Sequence, residues 1–191
     1  MYEIRLHGLG GQGAVTLVNW VAMVAYNQGK HVQSFPFFGA ERRGAPVKAF
    51  MRMDDEPIDL RSQIYKPDLL VVLSPDLLGA AVADGITDKG QILINCEELL
   101  AGKLAARFGR DMYHVDATGI AIEHGLEVDG MPMVNIPLLG AMVAKAGIAP
   151  FDGVMKVIDR AARRGDYDAY HDAALEGFEG LALAGARETV A

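Results

Sequence analysis

HGLGGQGAVTLVNWVAMVAYNQGKHVQSF, residues His7–Phe35, decides the fold. The residues just before its glycines, Tyr2–His7 (YEIRLH), alternate and are rich in strand formers. The glycine-dense turn Gly8–Gly13 follows. Ala14–Gln28 then reads as a helix that is apolar nearly all round, stopped by Gly29 with Lys30 beyond. Such a helix must be covered on most sides, as between a sheet and another layer. His31–Phe35 reads as a second strand, so the chain opens on strand, glycine turn, helix, strand: a βαβ unit.

Beyond that unit the winding changes. Pro36–Gly44 (PFFGAERRG) is irregular. Val47–Met53 alternates, with Val47, Ala49, Met51 and Met53 on one face and Lys48, Phe50 and Arg52 on the other. With turn residues at Asp54–Pro57, it predicts an antiparallel strand pair inserted after the first unit. Leu69–Leu73 (LLVVL) is a continuous apolar run, typical of a parallel strand buried on both faces. Ser74-Pro75-Asp76 predicts an N-cap and a helix start. Gln91–Asn95 and Met112–Val115 predict further strands, with a helix at Glu97–Phe108 between them. Ile136–Ala146 predicts a compact apolar helix. Two helical stripes follow, one through Phe151, Val154, Met155, Ile158 and Ala162, the other through Tyr167, Tyr170, Ala174, Phe178 and Leu181. The expected architecture is α/β: a Rossmann-like three-layer sandwich, its sheet mostly parallel with an inserted antiparallel strand pair, closed by C-terminal helices. No repeat or linker divides residues 1–191, so one domain is expected.

Composition narrows the function classes. Of the 191 residues, 51% are hydrophobic and 23% charged, which excludes a disordered or fibrous chain. A net charge of −7 argues against a general nucleic-acid binder. A single cysteine, Cys96, excludes an internal disulfide, a cysteine-ligated iron–sulfur cluster and a CxxC redox site. It suits a reducing compartment, and the cytoplasm is expected. The N-terminus MYEIRLHG shows no signal-peptide pattern, and no apolar run is long enough to span a membrane.

Gly8, Gly10 and Gly13 satisfy GxGxxG between a strand and a helix, the context that gives the pattern weight. Glycines let a ligand approach the backbone, and the helix start offers free N–H groups and partial positive charge to a phosphate. The same turn without a ligand is the plainer reading. A dinucleotide site needs an acid near the end of the second strand; Gln33 and Ser34 stand there, and no Asp or Glu occurs between Gly8 and Glu41. Ala14-Val15 replaces the Lys-Ser/Thr of a P-loop. A phosphate-bearing ligand held without the ribose clamp fits better. Arg42 and Arg43 could meet its phosphates, or could pair with acids such as Glu41 or with a partner subunit. His7 precedes the turn and either touches a ligand or ends its strand. The five histidines lack metal-ligand spacing, so no metal site is expected. Met131, Met133, Met142 and Met155 read as core or interface filler. Asn135 either caps the next helix or faces the crevice. There is no nucleophile elbow and no thiamine-diphosphate GDG pattern, so no catalytic residue is assigned.

Four ordered segments carry a resemblance: GLGGQGAV (Gly8–Val15), SFPFFGAERRGAPVKAFMR (Ser34–Arg52), IYKPDLLVVL (Ile64–Leu73) and VNIPLLGA (Val134–Ala141). From about residue 2 to at least 160 the chain resembles the gamma subunit, or gamma domain, of the 2-oxoacid:ferredoxin oxidoreductases. That resemblance implies oxidative decarboxylation of a 2-oxoacid with coenzyme A to give an acyl-CoA. It implies thiamine diphosphate, Mg and [4Fe-4S] clusters in alpha-, beta- and delta-type partner subunits, with electrons passed to ferredoxin. The gamma part would hold coenzyme A. Carried over by motif, Gly8, Gly10, Gly11, Gln12, Gly13, Ala14 and Val15 would form the loop that takes its pyrophosphate. Arg42 and Arg43 would meet a phosphate and Asn135 would approach the thiol arm. Leu9 stands where many pyruvate-type members carry Arg, which leaves the choice of 2-oxoacid open. A purely structural gamma subunit and a free-standing NADP-binding reductase are the competing readings.

Overall fold

The computed structural model describes residues 1–37, 44–162 and 165–186. In chain order the elements are β1 (Tyr2–Leu9), α1 (Ala14–Asn27), β2 (His31–Phe37), β3 (Pro46–Asp54), β4 (Leu69–Val72), α2 (Ala80–Ala83), β5 (Gln91–Asn95), α3 (Glu98–Phe108) and β6 (Met112–Val115). Then come α4 (Ala117–Glu123), β7 (Glu127–Val128), β8 (Met131–Pro132), α5 (Asn135–Ala146), α6 (Phe151–Ala161), α7 (Tyr167–Glu179) and β9 (Ala182–Ala184).

Seven strands form one sheet in the order β2-β3-β1-β4-β5-β6-β9. Strands β1, β4, β5 and β6 run parallel at its centre. The expected antiparallel pair is β2–β3. Its position is the finding: β3 also pairs antiparallel with β1, from Tyr2↔Met53 to Leu9↔Pro46. It is therefore wedged between the two strands of the first βαβ unit, which stay parallel without touching. Strand β9 closes the far edge antiparallel to β6.

The LLVVL run is explained by two covered faces. Leu69, Val71 and Leu73 pack in the core under α1 and α4–α7, while Leu70 and Val72 pack in a second core under α2 and α3. The second face of β3 is buried too. Phe50 stacks on Phe35 with ring centroids 5.2 Å apart. Arg52, 1% exposed, donates through Nε to Glu3 Oε1 (2.7 Å) and through Nη2 to the Ser62 carbonyl (2.8 Å). Arg5 donates to the carbonyls of Tyr65 (3.2 Å), Val82 (2.9 Å) and Asp84 (2.6 Å). Burial holds its pKa below the usual arginine value. These two guanidiniums fasten the long β3–β4 connection, and through Arg5 also the end of α2, to the sheet, each carbonyl taking a charge-assisted bond.

Other expectations need correction. The Ser74-Pro75-Asp76 start yields only a single 3-10 turn, Pro75–Leu77, without a side-chain cap. Asn135 does not cap the next helix: it is the first residue of α5, behind Val134. Among the described residues, no helix is long and apolar enough to cross a membrane.

Candidate functional site

The glycine turn is held from both sides before any ligand is considered. Leu9 N donates to Gln12 Oε1 (2.7 Å) and Gln12 N returns a bond to the Leu9 carbonyl (3.1 Å). Gly10 N donates to the Ala45 carbonyl (2.8 Å), and Gly44 N donates to the Gly10 carbonyl (3.1 Å). The wedge strand β3 thus anchors the loop. Gly8 serves packing, since a Cβ there would lie 3.1 Å from Leu73 Cδ2. Gly13 sits in the left-handed region (φ 74°) at the cap of α1, and no acidic residue occupies the first turn of that helix. The first intrahelical bond runs from Leu17 N to the Gly13 carbonyl (2.8 Å), so the N–H groups of Ala14, Val15 and Thr16 have no partner within the helix. They point the positive end of a 14-residue helix outward.

A cleft of about 620 Å³ opens there, lined by Gly10, Gly11, Gly13, Ala14 and Val15 on one side and by Val128, Asp129 and Met131 on the other. The second wall is the β7–β8 hairpin. Asp129 (φ 53°) and Gly130 (φ 73°) turn it with the left-handed pair typical of two-residue hairpin loops. Met131 Sδ comes within 3.2 Å of where a Cβ on Gly11 would lie. Met131, read in the sequence as filler, therefore roofs the loop.

A second cavity of about 300 Å³ adjoins the cleft, sharing Gly11, Gly13, Thr16, Val128 and Met131. Asn135 lines it. Its side chain packs directly on the loop, with Cγ 2.9 Å from a Cβ built on Gly13. The residue is 5% exposed.

The fold thus gathers Gly10, Gly11, Gly13, Ala14, Val15 and Asn135 into one region, with Gly8 and Gln12 behind it as supports. Arg42 and Arg43 lie outside the described residues. Sequence reading missed the hairpin and Trp20, which lines the second cavity. Only the Asp129-Gly130 dipeptide signalled the hairpin.

His7 does not face the cleft. It is paired in register with Lys48 and Val72, on the face of β1 opposite Ile4 and Leu6. It is 5% exposed, and its Nε2 has no hydrogen-bond partner among the described residues. Burial, with Arg5 and Lys48 adding repulsion, pushes its pKa down to about 4. The unfolded chain binds this proton near pH 6.5, so folded-state stability falls as pH drops from 6.5 toward 4. We expect the full chain to lose about 2 kcal/mol more than the His7→Gln variant between pH 7 and pH 5, read from urea midpoints. Equal losses would contradict a neutral buried imidazole. Cys96 is buried, and burial raises its thiol pKa to about 12, so it is inert. No cluster of three His, Cys, Asp or Glu that could hold a metal occurs among the described residues.

Fold and cleft together define a Rossmann-like α/β chain whose glycine loop opens at a helix N-terminus. Comparison with known proteins makes this specific. Residues 3–180 match the family model for pyruvate ferredoxin/flavodoxin oxidoreductase. The chain is 48% identical over 162 residues to the pyruvate/ketoisovalerate oxidoreductases common subunit gamma of Thermococcus kodakarensis, covering 83% of this chain and 85% of that one. It is 45% identical over 159 residues to pyruvate synthase subunit PorC of Methanothermobacter marburgensis, covering 83% and 85%. The crystal structure of pyruvate oxidoreductase subunit PORC from Thermotoga maritima superposes with a TM-score of 0.81 at 34% identity, covering 95% of this chain and 97% of that one. The chain belongs to the pyruvate ferredoxin/flavodoxin oxidoreductase family, as a gamma-type subunit of a multi-subunit oxidoreductase.

Proposed function

We propose that this subunit, a single unit over residues 1–191, holds coenzyme A for a cytoplasmic complex that oxidatively decarboxylates pyruvate or a related 2-oxoacid. In that reaction the bond to the substrate carboxylate breaks and CO2 leaves. The electron pair passes to ferredoxin or another acceptor, and the acyl group is transferred to the coenzyme A sulfur. Thiamine diphosphate, Mg and [4Fe-4S] clusters belong to the alpha-, beta- and delta-type partner subunits, which suits a chain with one cysteine. The names of the relatives support pyruvate and the branched-chain ketoisovalerate as substrates.

One observation carries the coenzyme A assignment. The loop at the start of α1 presents bare backbone, uncapped N–H groups and a first turn free of acids. No acid stands at the end of β2 to clasp the ribose of a nicotinamide dinucleotide, since Gln33 is spent on the Ile58 carbonyl (2.9 Å) and Ser34 on Asn19 (2.7 Å). This chain's share of catalysis is to place a thiol, a contribution of proximity. Arg42 and Arg43 supply the phosphate charge. Replacing both with alanine in the assembled complex should raise the KM for coenzyme A by about tenfold, the loss of one charge-assisted contact. Coenzyme-A-independent CO2 exchange is the reference rate. An unchanged KM would remove the arginines from the site.

A further inference from the structure

The far end of α1, about 20 Å from the glycine loop by helix rise, carries a cavity that the proposed function leaves unused. It measures about 310 Å³ and is lined by Asn27, Lys156, Asp159 and Arg160. Its walls are packed together in advance. Gly153 lets α6 close on the last turns of α1, since a Cβ there would lie 3.4 Å from Gln28 Nε2 and 3.5 Å from Val24 Cγ1. Val154, Val157 and Ile158 bury the inner face of α6, and Lys156 and Arg160 stand one turn apart on its outer face. Among the described residues neither cation has an ion pair or a hydrogen bond. Nor are they spent on the end of α1, where the Ala25 and Tyr26 carbonyls take the N–H groups of Gln28, Gly29 and Lys30. Two like charges one turn apart repel, yet both line one cavity of a chain whose net charge is −7.

We infer that this cavity docks a partner subunit, which inserts one carboxylate side chain between Lys156 and Arg160. The occupant follows from charge. Lys156 and Arg160 set against Asp159 leave a single positive charge, which one carboxylate balances and a phosphate group exceeds. The Asp159 carboxylate is itself turned to the Tyr167 hydroxyl, which leaves the two cations for an incoming acid. A guanidinium fork and an ammonium together suit the two oxygens of a carboxylate. The surroundings have the composition of a contact surface. Tyr26, which precedes Asn27 in the last turn of α1, is 69% exposed, and Tyr167 is 38% exposed. A chain that belongs to a multi-subunit oxidoreductase meets other subunits, and this patch lies at the opposite end of α1 from the cleft. The inference is independent of the coenzyme A reading.

Lys156 reports on the site without any substitution. Acetic anhydride should modify it readily in the isolated full chain, and about tenfold less in the complex with the subunits that co-purify with it, because the contact excludes water. In that complex a zero-length carbodiimide should join Lys156 to an Asp or Glu of another subunit, read by peptide mapping. Lys156→Glu combined with Arg160→Glu should weaken association by at least about 30-fold, as expected when a desolvated charge pair is broken. Lys156→Gln combined with Arg160→Gln should show a smaller loss of the same sign. Lys103→Glu combined with Arg107→Glu makes the same change of net charge on exposed positions of α3 and should leave association unchanged. Equal acetylation of Lys156 in the free and assembled chains would overturn the inference. Equal losses from the two reversals would overturn it too, since net charge alone would then be acting. Protection of Lys156 by inorganic phosphate in the isolated chain, with none on assembly, would give the cavity to a small anion instead.

Discussion

Gly13→Val in the assembled complex raises the KM for coenzyme A by at least about 30-fold. Two costs act together. The residue holds φ at 74°, where a β-branched side chain is strained by about 1–2 kcal/mol. Its Cβ would lie 2.9 Å from Asn135 Cγ and 3.0 Å from Nδ2, so Asn135 must yield. Asn135 is at the buried start of α5 and has little room to do so. The alternative is to swing the first turn of α1 away, which removes the N–H groups from the cleft. Either route deforms the cradle by the size of a methyl group or more, and about 2 kcal/mol of lost binding is a 30-fold change. Gly13→Ala should give a smaller rise of the same sign. Gly29→Ala, at a comparable φ of 83° with open space around it, carries backbone strain alone and should leave the KM where it was while costing stability. A wild-type KM in Gly13→Val would mean the loop is only a turn.

Gly140→Ala and Gly177→Ala each lower the melting temperature of the full chain by about 10 °C. These glycines face each other across the packed helices α5 and α7. A Cβ on Gly140 would overlap the Ala174 carbonyl oxygen and sit 2.8 Å from Phe178 N. A Cβ on Gly177 would overlap the Pro137 carbonyl oxygen and sit 2.8 Å from Pro137 Cα. The obstruction in both cases is backbone, which cannot rotate aside. The helices must separate, and Ala141, Met142, Ala173 and Ala174 lose their contacts with the core. Overpacking of this kind costs about 3 kcal/mol, and each kcal/mol lowers the melting temperature of a chain this long by about 2–4 °C. The contrast is Gly102→Ala on α3. A Cβ there meets nothing within 4 Å, and the better helix propensity of alanine should raise stability by about 1 kcal/mol. Calorimetry on the three variants decides the matter. Intact melting temperatures in the first two would mean that α5 and α7 are not in backbone contact.

The parts of the fold legible in the sequence were those whose cause is local. LLVVL, QILIN and the helix through Ala14 announced themselves because burial on both faces leaves continuous apolar runs. The place of β3 did not, because alternation says that Val47–Met53 is a strand and nothing about its neighbours. That choice is made by pairing with β1 across 37 to 51 residues of chain. Four short elements escaped for another reason. Strands β7, β8 and β9 and helix α4 are too short to show a period, although Asp116, which accepts from Gly119 N at 2.8 Å, caps α4 in a legible way. The candidate site divides along the same line. The loop of Gly10–Val15 was readable as a motif. Its roof was not, since Val128 and Met131 look like ordinary core residues until the hairpin brings them over the glycines. For Asn135 the sequence left two readings open, and packing against Gly13 supports the crevice.

The wedged strand has a consequence for synthesis. The backbone bonds that shape the turn at Gly10 come from Gly44 and Ala45, and the first two parallel strands cannot share a sheet until β3 fills the gap between them. A ribosome-bound chain that has exposed only its first forty residues therefore carries a helix and two strands with nowhere to dock. The geometry of the glycine loop is born late, when Asp54 has emerged, and a translational pause before that point would expose two unpaired edges at once.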